Sequence, residues 1–254
     1  ASYLFATVSE VRKPRKSRHN SVFANLILCN RQKTTDARTF VGNVDALYQY
    51  SLPSFYLRGY IVKYVWQHHI EGEADRLQLM SSILDPSSCY HLLRTGVSTG
   101  WNCLEVGAGN GSLSRWLADR VSPAGQVLAT DLHPDLMEAL GGSNLKVSTL
   151  DVVHNEPEGA PFDLVAVRAL LHHLPERRAV LSRLVSWLKP GGWIFVHEPD
   201  FYPVATVEPP SQKALWDAFL SWAAGQNIDY FVGRKIPPWL QEEGLGQISS
   251  EGHV

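Results

Sequence analysis

Apolar positions follow two different periods along the chain from residue 73 onward. Short apolar runs, such as Cys-Leu-Glu-Val at 103–106, predict buried strands, whereas apolar residues three or four positions apart predict amphipathic helices. Leu113, Leu117 and Val121 have the second spacing directly after that run. The pattern predicts strands near 101–106, 126–131, 145–150, 162–167 and 193–198, and helices near 112–121, 134–140, 175–188 and 211–225.

A helical pattern also precedes the first of these strands. Residues 73–84 place Leu77, Met80 and Leu84 on one stripe, and Asp85-Pro86 is expected to end this helix before a second helical stretch over 86–95. Strands that alternate with helices in this way form a sheet with right-handed crossovers. The sequence therefore predicts an α/β fold, a doubly wound and mostly parallel sheet with helices on both faces.

The chain is expected to have four parts. Its first part is basic, and we expect it to be disordered or non-native, although an organelle-targeting segment and a nucleic-acid-binding arm are open alternatives. The second part is dense in aromatic residues, which suits a helical lid over a cleft or ordinary packing. The predicted parts are a leader (1–44), a helical cap (45–100), a cofactor-binding α/β core (101–200), and acceptor-side helices with the start of the last strands (201–254).

Composition limits the classes of partner. The 254 residues have a net charge of −2, and no run of 18 apolar residues predicts a membrane span. Residues 1–40 contain 8 of the 23 basic residues and 2 of the 25 acidic ones, which leaves 15 against 23, or −8, for the rest. Such a core does not favour nucleic acid. Three cysteines without C-x-x-C spacing favour reduced thiols in a cytoplasmic protein and indicate no metal site.

The first predicted core strand runs into a glycine-rich turn. Gly107, Gly109 and Gly111 alternate with Ala108 and Asn110 between that strand and the next predicted helix. Glycine adopts positive φ without a Cβ penalty and lets bare main chain approach a ligand. A dinucleotide fingerprint would need its third glycine where Ser112 stands, so the spacing argues against a nicotinamide cofactor.

Two acids follow the ends of the next two strands. Asp131 is placed to accept hydrogen bonds from ribose hydroxyls, and the alternative is a cap for the helix that begins near Pro134. Asp151, followed by Val152, lies where an adenine would meet the same turn, and the alternative is a solvated loop residue. Both positions belong to the carboxyl edge of the sheet, where open α/β folds bind nucleotides.

These pieces, with their order and spacing, resemble the class I S-adenosylmethionine-dependent methyltransferases over residues 73–200. The resemblance also covers Phe162-Asp-Leu-Val, Leu171-His-His-Leu and Leu188-Lys-Pro-Gly-Gly. It implies S-adenosylmethionine as cofactor, with Glu105 holding its methionine end. The cofactor-binding residues expected from it are Glu105, Gly107, Ala108, Gly109, Gly111, Asp131, Leu132, Asp151, Val152 and Arg168, the last of which has a surface salt bridge as its alternative.

The family's sheet has seven strands, and a hairpin forms its last, antiparallel strand. Residues 251–254 end this chain where the sixth strand should run, so we expect the carboxyl-terminal hairpin to be incomplete. One sheet edge would then be uncovered, which invites association and leaves a homodimer open.

The catalytic candidates are His172, His173 and Glu198, near the ends of the fourth and fifth core strands. Histidine has a pKa suited to a general base, although a structural role for the Leu-His-His-Leu segment is an equal alternative. The aromatic residues of 201–240 suit either an acceptor pocket or helix packing.

The sequence as a whole predicts methyl transfer to a small organic acceptor, with the methylated atom (O, N or C) left open. The alternatives are a cofactor-binding partner subunit with weak or no activity and, less favoured, a methyltransferase acting on nucleic acid or protein.

Overall fold

The computed structural model of the protein describes residues 3–9, 72–206 and 209–253. These residues form twelve main elements in chain order, joined by short 3₁₀ turns at 134–140, 171–173, 202–206 and 233–235. The elements are β1 (Tyr3–Ser9), α1 (Glu73–Arg94), β2 (Asn102–Val106), α2 (Ser112–Val121), β3 (Gln126–Asp131), β4 (Leu145–Thr149), β5 (Phe162–Arg168), α3 (Arg177–Ser186), β6 (Leu188–Pro199), α4 (Pro210–Gly225), α5 (Ile236–Glu242) and β7 (Ile248–His253).

The strands form one seven-stranded sheet in the order β4-β3-β2-β5-β6-β1-β7. Strands β2 to β6 pair in parallel, and β1 runs antiparallel to both of its neighbours, β6 and β7. The carboxyl ends of β2, β3, β5 and β6 therefore lie along one edge. The predicted doubly wound α/β architecture is confirmed.

Alternate residues of the central strands pack on opposite faces, as the period of two requires. On one face Leu104, Val165 and Ile194 pack in a core that includes residues of α3 and α5. On the other face Cys103 and Phe195 pack in a core that includes residues of α1 and α2. Because both faces are buried, the strands are continuous apolar runs rather than alternating ones.

The helix expected to end at Asp85-Pro86 continues without a break to Arg94, so the prediction of two helices was wrong. Pro86 removes one main-chain hydrogen bond, a change that costs about 3 kcal/mol in a helix interior. Burial on both sides of Pro86 compensates, since Leu84, Ser88 and Leu92 are all buried. The predicted 134–140 helix is a 3₁₀ helix, and β6 begins at Leu188, five residues earlier than predicted.

The amino-terminal strand has no counterpart in the sequence-based expectations. Residues 3–9 belong to the leader that we expected to be disordered or non-native, yet they lie between β6 and β7 with Tyr3 opposite both Pro199 and His253. Strand β1 fills the position beside β6 and pairs with β7 on its other side. Residues 10–44 of the leader and 45–71 of the predicted cap lie outside the described residues.

Within the described ranges, no helix combines the length and the apolar character that crossing a bilayer requires.

Candidate functional site

The glycine turn joins β2 to α2 at the carboxyl edge of the sheet. Gly107, Gly109 and Gly111 have φ values of 71°, 59° and 70°, all in the left-handed region that glycine favours. The main-chain N–H groups of Gly107 and Ala108 donate to the carbonyl oxygen of Thr130 at 2.8 and 3.0 Å. The turn is thus fixed to the end of β3 by main-chain bonds.

The three glycines differ in what surrounds them. A Cβ on Gly111 would lie 2.3 Å from Leu140 and 3.1 Å from Met137, so this glycine allows the 134–140 segment to pack against the start of α2. A Cβ on Gly107 would lie 3.1 Å from Leu170. Among the described residues, a Cβ on Gly109 would have only Leu77 nearby, at 3.4 Å, an ordinary contact. Gly109 is therefore the glycine of the turn that the described residues crowd least.

Asp131 binds the turn from the end of β3. Its Oδ2 accepts a hydrogen bond from the Gly109 main-chain N–H at 2.9 Å, and its Oδ1 accepts from the His133 N–H at 3.0 Å. Neither bond caps the segment at Pro134, although the second fixes the residue just before it. A carboxylate has about four lone-pair sites, so further hydroxyl donors can be accommodated. The neighbouring Leu132 side chain is half exposed.

Glu105 lies beneath the turn on β2 and is 1% exposed. The Ser114 hydroxyl of α2 donates a hydrogen bond to its carboxylate. Burial raises the pKa of Glu105 to about 7, although Arg168 and the Ser114 hydrogen bond act to lower it. Near neutral pH this carboxylate is therefore close to its titration midpoint.

Asp151 and Val152 follow β4 at the same edge. Asp151 Oδ1 accepts from the Val153 N–H at 3.0 Å, and its other oxygen lies 2.8 Å from His154 Nδ1. The carboxylate thus shapes its own turn, as the solvated-loop alternative requires. Val152 is buried, and the adenine-binding role stays a prediction.

Arg168 ends β5, and its side chain is 9% exposed, so it forms no surface salt bridge. Its guanidinium reaches α1 and the start of α2, with Nη1 donating to Asp85 Oδ1 at 2.6 Å and Nη2 donating to Ser112 Oγ at 3.1 Å. Nη1 also lies 3.3 Å from Ser88 Oγ. The arrangement connects three elements of the site through one side chain.

The histidine candidates lie in the 3₁₀ turn after β5, where Glu198 organises the main chain. The buried Glu198 carboxylate accepts from the N–H groups of Leu170, Leu171 and His172 at 2.8, 2.7 and 3.3 Å. It also lies 2.8 Å from His172 Nδ1. The His173 ring lies 3.8 Å from that of His172. Burial, with the nearby His172, lowers the pKa of His173 to about 2.

The aromatic residues after β6 pack largely on one another. Phe201 and Tyr230 stack with ring centroids 4.6 Å apart, both nearly buried, and Phe201 contacts Trp216 and Phe219 of α4. This geometry favours helix packing for these rings. A cavity of about 310 Å³ lies beside them between Arg177, Asn227 and the end of α4, lined by none of the predicted cofactor residues.

Helix α1 contributes residues that sequence reasoning missed. Leu77 faces Gly109, and Ser81 donates to Asn110 Oδ1 of the turn at 3.0 Å. Asp85 accepts from Arg168. A signal for these residues exists in the sequence. Ser81, Asp85 and Ser88 have the spacing i, i+4, i+7, which places a polar stripe on one face of the helix.

A strand, a turn of left-handed glycines and a helix, with an acid at the end of the next strand, are typical of nucleotide-binding α/β domains. Residues 104–194 match the family profile described as a methyltransferase domain. The chain is 34% identical over 154 residues to "Methyltransferase str2" of Strobilurus tenacellus, which covers 59% of this chain and 54% of that protein. It is 32% identical over 127 residues to the trans-aconitate 2-methyltransferase of Mycobacterium tuberculosis, covering 50% and 46%.

Among solved structures, a SAM-dependent methyltransferase from Aquifex aeolicus shares the fold with a TM-score of 0.50 and 18% identity, covering 70% of this chain and 95% of that one. Residues 104–194 are therefore similar to methyltransferase domains, and the chain shares its fold with a SAM-dependent methyltransferase. The chain spans about half the length of the curated relatives that it matches.

Proposed function

We propose that this chain binds S-adenosylmethionine over the 107–111 turn and transfers the methyl group to a small organic acceptor. The observation that carries the proposal is the left-handed glycine turn, which Asp131 binds at Gly109 and where the described residues leave room for a Cβ at ordinary contact distance. The named relatives are methyltransferases, which supports the reaction class.

The side chains around the turn suit the three parts of this cofactor. Asp131 is assigned to the ribose, Leu132, Asp151 and Val152 to the adenine, and Glu105 to the methionine end. The bare main chain of Gly107, Ala108, Gly109 and Gly111 makes the close approach possible. S-adenosylmethionine supplies a methyl group that is already activated by its sulfonium, so the protein contributes mainly alignment and exclusion of water.

The geometry around Glu198 bears on proton transfer. This carboxylate already accepts three main-chain N–H groups, and the low pKa of His173 makes its imidazole a weak base near neutral pH. A base is required only when the attacking atom carries a proton that must leave. We infer that the acceptor attacks as a carboxylate, or as an unprotonated amine whose surplus proton passes to solvent after methyl transfer, rather than through a base at His172, His173 or Glu198.

A trans-aconitate methyltransferase among the relatives fits an acceptor of this kind. The alternative of a cofactor-binding subunit without activity predicts binding of S-adenosylmethionine with no acceptor methylated. The proposal includes a cytoplasmic location, which rests on the odd number of cysteines in the sequence and on their lack of C-x-x-C spacing. A homodimer is a further part of it, to be checked by light scattering.

Calorimetry with S-adenosylmethionine and with NAD tests the cofactor, and a screen of carboxylic acids and amines with methyl-labelled cofactor tests the reaction. We expect S-adenosylmethionine alone to bind. Gly109→Val, which places a branched side chain at φ 59°, should abolish binding, whereas Gly225→Ala, at a glycine outside the left-handed region with no described atom within 4 Å of its Cβ direction, should not. Wild-type protein that binds neither compound, or Gly109→Val with unchanged affinity, would contradict the assignment.

A further inference from the structure

A polar network joins helix α1 to the glycine turn and to β5. Asp85 of α1 is at its centre, because its Oδ1 accepts from Arg168 Nη1 at 2.6 Å and lies 3.0 Å from Ser112 Oγ. Arg168 Nη2 donates to the same Ser112 hydroxyl at 3.1 Å. The pair forms a partly buried bridge over the first residue of α2, since the Arg168 side chain is 9% and the Asp85 side chain 32% exposed.

The same network continues into the turn itself. Asn110 Oδ1 accepts from Ser81 Oγ at 3.0 Å and from the Ser112 N–H at 3.2 Å. Displacing Arg168 or Asp85 would therefore release bonds on Ser112 that orient the main chain next to Gly111. The position of the turn depends on these side chains as well as on its glycines.

Three ionisable groups act on the buried Glu105 carboxylate from the elements around it, and a neutral thiol lies on one of these elements. Arg168 on β5 stabilises its negative charge, whereas Asp85 on α1 and Asp131 on β3 oppose that charge. The Cys89 thiol on α1, whose pKa is raised to about 11, is neutral near physiological pH. Among these groups Arg168 is the only cation, and Asp85 is bound to it directly.

We propose that Arg168 is a positioning residue for the cofactor site, which holds α1 against the glycine turn and supplies the positive charge opposite Glu105, and that Asp85 limits this charge. The inference rests on the proposed function, because Glu105 is assigned there to the methionine end of S-adenosylmethionine. It differs from the sequence-based expectation that Arg168 touches the cofactor.

A consequence in pH follows from this arrangement. The amino group of the methionine end is a cation, so its binding requires the ionised form of Glu105. The pKa of Glu105 near 7 then makes affinity fall as the pH is lowered below 7, by up to tenfold for each pH unit. Removing the positive charge of Arg168 should move this dependence to higher pH, and removing the negative charge of Asp85 should move it to lower pH.

The test measures the affinity of the full chain for S-adenosylmethionine by calorimetry between pH 5.5 and pH 9. The variants are Arg168→Met, Arg168→Lys, Asp85→Asn and Glu105→Gln. The ligand's own amino group titrates identically in every case, so differences between variants report on the protein. Circular dichroism and thermal unfolding check that each variant is folded, and Asp85→Asn keeps an oxygen acceptor for Ser112.

We expect the midpoint of the pH dependence to rise in Arg168→Met by about one pH unit or more. In Arg168→Lys, which keeps the charge without the fork, it should stay near the wild-type value while affinity falls. In Asp85→Asn the midpoint should be lower than in the wild type. In Glu105→Gln the part of the pH dependence of affinity that comes from the protein should disappear. If Arg168→Met does not fold, the inference is tested by the other two variants. It then requires a lower midpoint in Asp85→Asn and the loss of the protein's pH dependence in Glu105→Gln.

A merely structural role for the pair would reduce affinity equally at every pH. Shifts of Arg168→Met and Asp85→Asn in the same direction, or a midpoint in either that equals the wild-type value, would overturn the inference while leaving the proposed function intact. A wild-type protein that does not bind S-adenosylmethionine at any pH would overturn both.

Discussion

Glu105 illustrates how a single buried carboxylate connects stability with ligand binding. It is buried beneath the glycine turn, and its pKa of about 7 lies above its ordinary value of 4.5. The folded protein therefore holds a proton between these two pH values that the unfolded chain releases. Stability is greatest below pH 4.5 with respect to this group and is lost as the pH rises towards 7.

Glu105→Gln removes that dependence, because glutamine is neutral and keeps an oxygen for the Ser114 hydroxyl. We expect the variant to be more stable than the wild type at pH 8, on the order of 3 kcal/mol in free energy of unfolding, and about equally stable at pH 4.5. Urea denaturation at both pH values measures the difference. A variant that is less stable at pH 8 would show that the ionised carboxylate contributes favourably to the fold.

Asp131 has two main-chain bonds in addition to its assigned role with the ribose. Asp131→Ala removes a charged acceptor, so cofactor affinity should weaken by roughly 1–3 kcal/mol. Asp131→Asn, which keeps one carbonyl oxygen for Gly109 or His133, should lose less. Calorimetry on both variants provides the comparison, and equal affinity of the wild type and Asp131→Ala would remove Asp131 from the proposed site.

At the residue scale the sequence predicted where the site residues lie in the fold better than which side chains they contact. Gly107, Gly109, Gly111 and Asp131 lie where their spacing placed them, because strand ends in a parallel sheet meet at one edge. The partners of Arg168 and Glu198 were not predictable. Asp85 is 83 residues from Arg168 in the chain, and local spacing carries no information about which distant side chain fills a buried position.

Helix α1 shows how packing overrides a local stop signal. Pro86 is exposed, and the residues buried beside it, Leu84 and Ser88, hold the two halves of the helix in line. Periodicity identified both halves, but the local rule for proline separated them. Burial against α2 and the sheet, which decides the outcome, is a tertiary effect.

Pro86→Ala restores a main-chain N–H to the helix without removing a buried side chain. We expect the free energy of unfolding to increase by about 1–3 kcal/mol. The matched control is Ser82→Ala on the exposed face one turn earlier, which should change it by less than about 0.5 kcal/mol. Chemical denaturation followed by circular dichroism measures both free energies of unfolding. A Pro86→Ala variant that is less stable than the wild type would mean that the proline stabilises the packed geometry of α1.

One side of the sheet depends on a strand from the opposite end of the chain. Strand β1 pairs with β6 from Tyr3 to Ser9 and with β7 from Tyr3 to Val8. The pairing of β7 with the sheet is through β1. Sequence analysis predicted the five parallel strands from their apolar runs, whereas β1 lies in a basic leader where charge dominated the interpretation.

Ala6→Pro tests this dependence, since Ala6 lies opposite both Val196 and Ser250 and proline cannot donate a main-chain hydrogen bond. Hydrogen exchange of the amides in β6 and β7 should accelerate, while that of β2 and β3 should change little. Ala6→Val keeps the N–H and serves as the control. Unchanged exchange in β7 would show that β1 does not hold this edge.

Because Tyr3 and His253 are directly opposite in an antiparallel pair, the start of β1 and the end of β7 are neighbours. A circular permutant can start at Gly72, run to His253 and continue through a short reverse turn into Tyr3–Ser9. This protein would retain every strand pairing while omitting residues 10–71. Its melting temperature and its affinity for S-adenosylmethionine, compared with those of the original order, would assign the contribution of the omitted segment. Equal values would make that segment dispensable for the nucleotide cleft, and a lost affinity with a retained melting temperature would place part of the cleft within it.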